Sequence, residues 1–227
     1  MTADLLDNPI WNALTTLQGQ FGERDGNAAR FFPQVTALAG LAAEETDALA
    51  TLATLEKPGE RAGLFLDHVP ATFPGGLVHV DGAPLVQMVN EGPFPEPAPA
   101  ADIVELGADD SPAMRALAEA TRPGPFGTRT HELGTFLGVR DGAQLIAMAG
   151  QRMRLPGRVE ISAVCTDPAF LGRGLAARLI TAQLALVGSQ GLSTFLHVKA
   201  DNARAIGLYE RLGFRIRRRA TYVVLSQ

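Results

Sequence analysis

The sequence predicts an α/β fold, and three observations carry the prediction. Strand-like and helix-like segments alternate through the second half of the chain. Short apolar runs flank the dipeptides Asp81-Gly82 and Asp141-Gly142, a pattern that favours β-hairpins. A glycine-rich turn, Gly172-Arg173-Gly174, follows a strand-like run and opens a helix-like one. The composition agrees. Of 227 residues, 46% are hydrophobic and 19% charged, which suits a chain that buries a core. A net charge of −4 argues against a nucleic-acid partner, which needs a basic face. Cys165 is the single cysteine, so no intramolecular disulfide forms. Met1-Thr2-Ala3-Asp4 carries no leader pattern, and no apolar run is long enough to span a bilayer. The expectation is a soluble, cytoplasmic protein.

The elements follow in order. Asn8-Pro9 opens a helix over about 9–18, with proline at its first position. A second helix runs from about Glu44 to Leu55 and stops at Lys57-Pro58-Gly59. Ala62–Leu66, Leu77–Val80 and Leu85–Val89 read as strands, the last two as a hairpin around Asp81-Gly82. The prolines of Glu91–Pro99 favour extended chain and mark a linker. We therefore divide the chain into an N-terminal half (1–92), a proline-rich linker (93–100) and a C-terminal domain (101–227).

The C-terminal part starts with a strand, Asp102–Leu106, and a helix from Ser111-Pro112 to Ala120, broken by Arg122–Gly127. Thr135–Val139 and Leu145–Met153 form a hairpin around Asp141-Gly142. Val159–Cys165 is a strand, about 172–189 a helix, Phe195–Val198 a strand, Asn202–Leu212 a helix closed by Gly213, and Tyr222–Leu225 a last strand. The second strands of the two Asp-Gly hairpins are alike, Leu85-Val86-Gln87-Met88 and Leu145-Ile146-Ala147-Met148. This fits two halves of related build and fits chance equally well.

The glycine turn is an anion site in outline. The first N–H groups of a helix have no carbonyl partners within it, and the helix dipole adds positive potential. A dinucleotide reading of Gly172-Arg173-Gly174-Leu175-Ala176-Ala177 is weak. Thr166–Leu171 separates the turn from its strand, and no acid lies about 20 residues on to hold a ribose. No Gly-Lys-Ser/Thr phosphate loop is present. The bland reading, glycines that only allow close packing, stands beside these.

The turn has a companion downstream, Asn202-Ala203-Arg204-Ala205-Ile206-Gly207-Leu208-Tyr209-Glu210-Arg211-Leu212-Gly213-Phe214. With the strand from Glu160, the two motifs together resemble the GNAT acetyltransferase superfamily over about 101–227. The resemblance implies a mixed, mainly antiparallel twisted sheet flanked by helices, with an N-terminal half that is a candidate degenerate copy. It implies acyl transfer, most simply acetyl transfer from acetyl-CoA to a primary amine by direct attack, without a metal. The alternative is a non-catalytic acyl-CoA-binding or regulatory module. The implied partners are acyl-CoA and an unidentified amine acceptor, with neither nucleic acid nor membrane; a homodimer stays open.

The resemblance also assigns residues. Gly174 and Ala176 fill the last fixed positions of the family's Arg/Gln-x-x-Gly-x-Gly/Ala signature, and Leu171 stands at its first position, a departure. Gly172, Arg173, Gly174, Leu175 and Ala176 would hold the pyrophosphate, with Arg173 partly replacing the missing anchor. Val164, Cys165 and Thr166 would offer free backbone to the pantetheine arm, and Asn202, Ala205 and Leu208 would contact the cofactor. Tyr209 is the candidate acid for the departing thiolate. Glu160 is the candidate base, with His197 in reserve. The Cys165 thiol itself reads as a small buried apolar group rather than a nucleophile. His68, His79, His131 and His197 are too scattered to suggest a metal site. Arg215, Arg217, Arg218 and Arg219 read as solvated charge that protects an edge strand. Acceptor contacts are expected from the loop near Pro123–Thr130 and from the N-terminal half.

Overall fold

The computed structural model describes residues 4–96 and 101–227, so the end of the proline-rich linker, residues 97–100, lies outside the described residues. The first half contains α1 (Pro9–Thr15), β1 (Gly22–Asp25), β2 (Ala28–Phe31), β3 (Ala39–Leu41), α2 (Thr46–Leu55), β4 (Arg61–Leu66) and β5 (Val78–Asn90). The second half contains β6 (Ile103–Leu106), α3 (Ser111–Thr121), β7 (Phe136–Asp141), β8 (Gln144–Leu155), β9 (Arg158–Thr166), α4 (Leu175–Ser189), β10 (Ser193–Lys199), α5 (Ala203–Arg211) and β11 (Arg215–Ser226).

Strands β1-β2-β3 form a small antiparallel sheet, and the other eight form one sheet in the order β4-β11-β5-β10-β9-β8-β7-β6. Within the large sheet the β9–β10 pair is parallel and the other pairs are antiparallel. This is the α/β fold that the sequence predicts, with the mixed, mainly antiparallel sheet that the resemblance implies. Successive side chains of a strand face opposite sides, and the core sorts accordingly. Met88, Leu196 and Ile161 pack with Ile180 and Leu184 of α4 and with Tyr209 of α5. Val89 and Phe195 face the other way, onto Leu6, Ile10 and Ala13 around α1. Met148 and Cys165 pack under Met114 and Leu117 of α3.

The two halves share strands. β5 of the first half lies between β10 and β11, while β11, last in the chain, pairs with β4 as well as β5. The order helix, three antiparallel strands, helix, strand recurs as α1-β1-β2-β3-α2-β4 and as α3-β7-β8-β9-α4-β10. An isolated parallel bridge links Leu38, the residue before β3, to Gly63 of β4, as the parallel pairing joins β9 to β10. Phe94 of the linker packs against Gly188 of α4, where a Cβ would stand 2.7 Å from its own Cβ.

Several local expectations are corrected. Asp81-Gly82 makes no hairpin; β5 runs through it unbroken, paired with β11 from Val78 to Val89. Gly82 serves close approach instead of a turn, since a Cβ there would lie 2.5 Å from the Tyr222 carbonyl oxygen. Asp141-Gly142 does turn, with Gly142 at φ +57°. β1, β2 and β3 are additions to the expected elements, although Asp25-Gly26 carries the same hairpin signal and Gly26 has φ +47°. The arginine run is only partly the solvated edge charge expected. It lies where β11 pairs with β5 alone, because β4 joins only from Thr221 on, yet Arg217 and Arg218 are half-buried and held by Asp7, Gln87 and Asp67.

Candidate functional site

β9 and β10 are paired for three residues only, Arg158–Ser193, Val159–Thr194 and Glu160–Phe195. Beyond Glu160, β9 stays with β8 and β10 stays with β5, so a wedge opens between them. Its cause is local. Met148 faces Cys165 while Gly150 faces Ser162, so β9 carries one extra residue, and Ala163 sits there at φ +51°. A bulge bends the strand that contains it, and a left-handed alanine costs roughly 1–2 kcal/mol that the surrounding pairing must offset. Val164, Cys165 and Thr166 lie along the wedge. The Cys165 thiol is buried, and that burial pushes its pKa up to about 11, so it is a poor nucleophile.

The chain leaves β9 through a turn in which Asp167 accepts from the Ala169 N–H at 2.9 Å. Gly172 and Gly174 then take φ +82° and +72°, and Gly174 is the N-cap of the fifteen-residue α4 with no side chain capping it. The sequence pattern places the start of this helix at about residue 172; it starts at Leu175, and the glycines precede it. They therefore present backbone donors at the positive end of a four-turn dipole. A side chain at either glycine would meet no neighbour within 4 Å, so the turn faces open space. The Arg173 guanidinium lies 4.6 Å over the Phe170 ring, which places its charge beside the turn. Leu171, where the signature has Arg or Gln, is exposed. Leu175 is buried and Ala176 half-buried.

Asn202 caps α5, accepting from the Ala205 N–H at 3.1 Å. Tyr209 is buried against Phe214, with ring centroids 5.9 Å apart. It packs in one apolar cluster with Ile161, Leu196 and Val198 of the wedge strands, and Val164, Ala205 and Leu208 pack against the same cluster. Burial pushes the Tyr209 phenol up to about 12, so it is protonated at neutral pH. The structure thus brings Tyr209 to the α5 side of the wedge.

Glu160 faces the other side of the sheet and is fully buried. Its carboxylate accepts from Arg152 Nε and Nη2 at 2.8 and 2.7 Å and from His197 Nδ1 at 2.8 Å. Burial alone would raise its pKa, but the charge and hydrogen bonds of Arg152, with the His197 bond, bring it down to about 2. A carboxylate held this way is a very weak base. His197 is equally occupied. Gln87 Oε1 accepts from Arg217, so the Gln87 amide nitrogen is the group that meets His197 Nε2, at 3.1 Å. The network therefore assigns His197 as the neutral ring with its proton on Nδ1. Burial lowers its pKa further than Glu160 raises it.

Sequence reasoning misses Arg152 and Gln87. Arg152 stands at a buried position of β8, opposite in facing to Gln151, whose amide bonds Gln183 of α4. An arginine at an inward position of a strand is a signal of a buried partner. Gln87 gives no such signal alone, because its partners Leu6, His197 and Arg217 come from three distant segments.

A family model described as FR47-like protein matches residues 136–224, the stretch that holds the wedge, the glycine turn and Tyr209. The chain is similar to N-alpha-acetyltransferase RimI of Mycobacterium tuberculosis, 34% identical over 82 residues, which is 35% of this chain and 51% of that protein. It is also similar to mycothiol acetyltransferase of Streptomyces coelicolor, 40% identical over 83 residues, which is 36% of this chain and 26% of that protein. The alignments thus span about half and about a quarter of those relatives. A solved GNAT-family structure from Novosphingobium aromaticivorans covers 99% of both chains with a TM-score of 0.91 and 41% identity. With likeness of that extent along its whole length, the chain belongs to the GNAT family.

Proposed function

We propose that this protein is an N-acetyltransferase that moves an acetyl group from acetyl-CoA to a primary amine. One observation carries the reading: the β9–β10 wedge leads to the uncapped, glycine-opened N-terminus of α4, with Tyr209 buried at its side. The turn from Gly172 to Ala176 offers the pyrophosphate its backbone donors, with Arg173 adjacent. The free edge of Val164–Thr166 suits an extended pantetheine arm laid in as an added strand, and an amide there can polarise the thioester carbonyl. Asn202, Ala205 and Leu208 line the same side. Tyr209 keeps its proton at neutral pH and supplies it to the leaving thiolate.

The base assignment changes. Glu160 and His197 are both committed to the Arg152–Gln87 network, so neither takes the amine proton in this reading. Glu160 is a positioning residue, and deprotonation passes through water. We also propose that residues 1–92 are the degenerate copy and 101–227 the acetyl-transferring one, joined by 93–100. The loop after β3 supports this, since it carries Glu44 and Glu45 and no glycine where the second copy has Gly172 and Gly174.

The test is an amine panel with acetyl-CoA, read by thiol release, beside calorimetry of acetyl-CoA binding. Thiol release that depends on the amine supports the transferase. Tight acetyl-CoA binding with no release from any amine favours the binding-module alternative. Absence of binding removes the cofactor assignment itself.

A further inference from the structure

The first half keeps a wedge of its own. Gly63 of β4 donates its N–H to the Ala37 carbonyl at 2.8 Å, and its bridge to Leu38 is isolated. Past that point β3 stays with β2, and β4 stays with β11. A cavity of about 320 Å³ lies between them, with Ala39, Gly40 and Leu41 on one wall and Leu64, Phe65 and Leu66 on the other. Ile10 of α1 also lines it, and Ile10, Leu41, Leu64 and Leu66 are all buried. The mouth carries Asp7, Glu44 and Asp67, all exposed. An apolar floor with a few polar groups at one end is the usual build of a small-molecule site.

The charges at the mouth decide what fits. Arg217 donates to the Asp7 carboxylate at 2.6 Å, and Arg218 bonds Asp67 and the Asp7 carbonyl. Those two carboxylates are thereby balanced. Glu44 has no cationic partner among the described residues. Its oxygens accept from the backbone N–H groups of Asp67 at 2.7 Å and His68 at 3.1 Å. A carboxylate oxygen accepts more than one hydrogen bond, so Glu44 keeps room for a further donor. The two backbone donors that an anion would use are already taken by it.

We propose that this cavity is a second ligand site, for a small amphipathic amine, with the ammonium on Glu44 and an apolar body on the floor between β3 and β4. It is the second half's wedge with the charge reversed. Gly172 and Gly174 there leave donors open to an anion, and Glu44 here offers acceptors to a cation. The site goes beyond acetyl transfer and does not rest on it. The Phe65 ring on its wall lies 4.4 Å from the His197 ring of β10, so an occupant sits one side chain away from a strand of the second wedge.

The protein carries its own reporter. Trp11 is the single tryptophan, it follows Ile10, and a Cβ on Gly40 would stand 2.4 Å from its amide nitrogen. The experiment titrates hexylamine, hexanol and hexanoate, which share one chain and differ in head charge, and reads Trp11 fluorescence without acetyl-CoA. The expected result is saturable binding of hexylamine about tenfold tighter than hexanol, the scale of one hydrogen bond to a charged group, with hexanoate weaker still. Glu44→Gln brings hexylamine to the level of hexanol. Ala43→Phe, at an exposed position of the lining, weakens both by filling the mouth. Should Glu44→Gln fail to fold by circular dichroism, Ala43→Phe and the ratio among the three ligands decide. Equal affinity for all three, or a preference for hexanoate, overturns the cation assignment. A fluorescence change that both variants leave intact puts the amine elsewhere and overturns the site. So does the lack of a saturable change with any of the three. Each of these outcomes leaves acetyl transfer standing, since no acetyl-CoA takes part.

Discussion

Glu160→Gln separates a base from a buried counter-charge. The substitution keeps the shape and one acceptor oxygen but removes the charge that faces Arg152, whose side chain is 9% exposed. Breaking a buried ion pair from one side costs about 3–5 kcal/mol, because the remaining charge is left uncompensated. The retained amide oxygen puts the expectation near the lower end, about 3 kcal/mol, which for a chain of this size is a fall in Tm of about 6–12 °C. The pH dependence has a definite sign. The Glu160 pKa falls from an ordinary 4.5 to about 2 on folding. Its contribution is therefore complete above pH 4.5 and is lost as the pH falls towards 2. Urea denaturation followed by circular dichroism, at pH 7 and at steps below pH 4.5, measures both effects. The gap between the two proteins is about 3 kcal/mol at pH 7 and narrows as the pH falls through that window. A gap under about 1 kcal/mol at pH 7, or one that does not narrow, refutes the ion-pair reasoning. Full stability with activity lost by orders of magnitude restores Glu160 as a base.

Three further outcomes are expected. Tyr209→Phe lowers kcat by about a hundredfold through loss of the proton donor, while the denaturation midpoint stays nearly constant; an unchanged kcat removes the assignment. Gly174→Val, at φ +72°, strains the turn and raises the KM for acetyl-CoA about tenfold or more. Leu171→Arg, at an exposed position, acts in the opposite direction by adding a charge-assisted phosphate contact; calorimetry with CoA reads both, and no difference between them contradicts the pyrophosphate site. The pH profile of kcat/KM rises as the acceptor ammonium loses its proton and shows no step below neutrality from His197, since Glu160 and Gln87 occupy both its ring nitrogens. A step there that disappears in a His197 variant assigns the base to that ring.

What the sequence reveals and what it hides follow from the range of the interactions. The glycine turn, the Asn202 cap and the β9 strand are written in neighbouring residues, and so they are legible. Asp-Gly is not decisive, because the same dipeptide turns at Asp141-Gly142 and is held straight at Asp81-Gly82 by pairing with Val224 and Val223 of the distant β11. β11 is longer than its apolar pattern suggests because its first residues are arginines, and the carboxylates that hold them, Asp7 and Asp67, belong to the other half. The same holds at the site. Position alone picks out Glu160 but not its chemistry, because Arg152 and His197 reach it only after folding.

The strand exchange bears on how the chain is made. Leu66 of β4 pairs with Thr221 of β11, so a nascent chain carries β4 out of the ribosome long before its partner exists. Meanwhile the apolar residues of β5 wait for β10 on one side and β11 on the other. An edge left open for that long invites pairing with other chains. Closing the sheet thus waits for β11, and the pairing is one of high contact order. A growing chain halted before Arg215 has all of the glycine turn and Tyr209 but an unfinished floor beneath them.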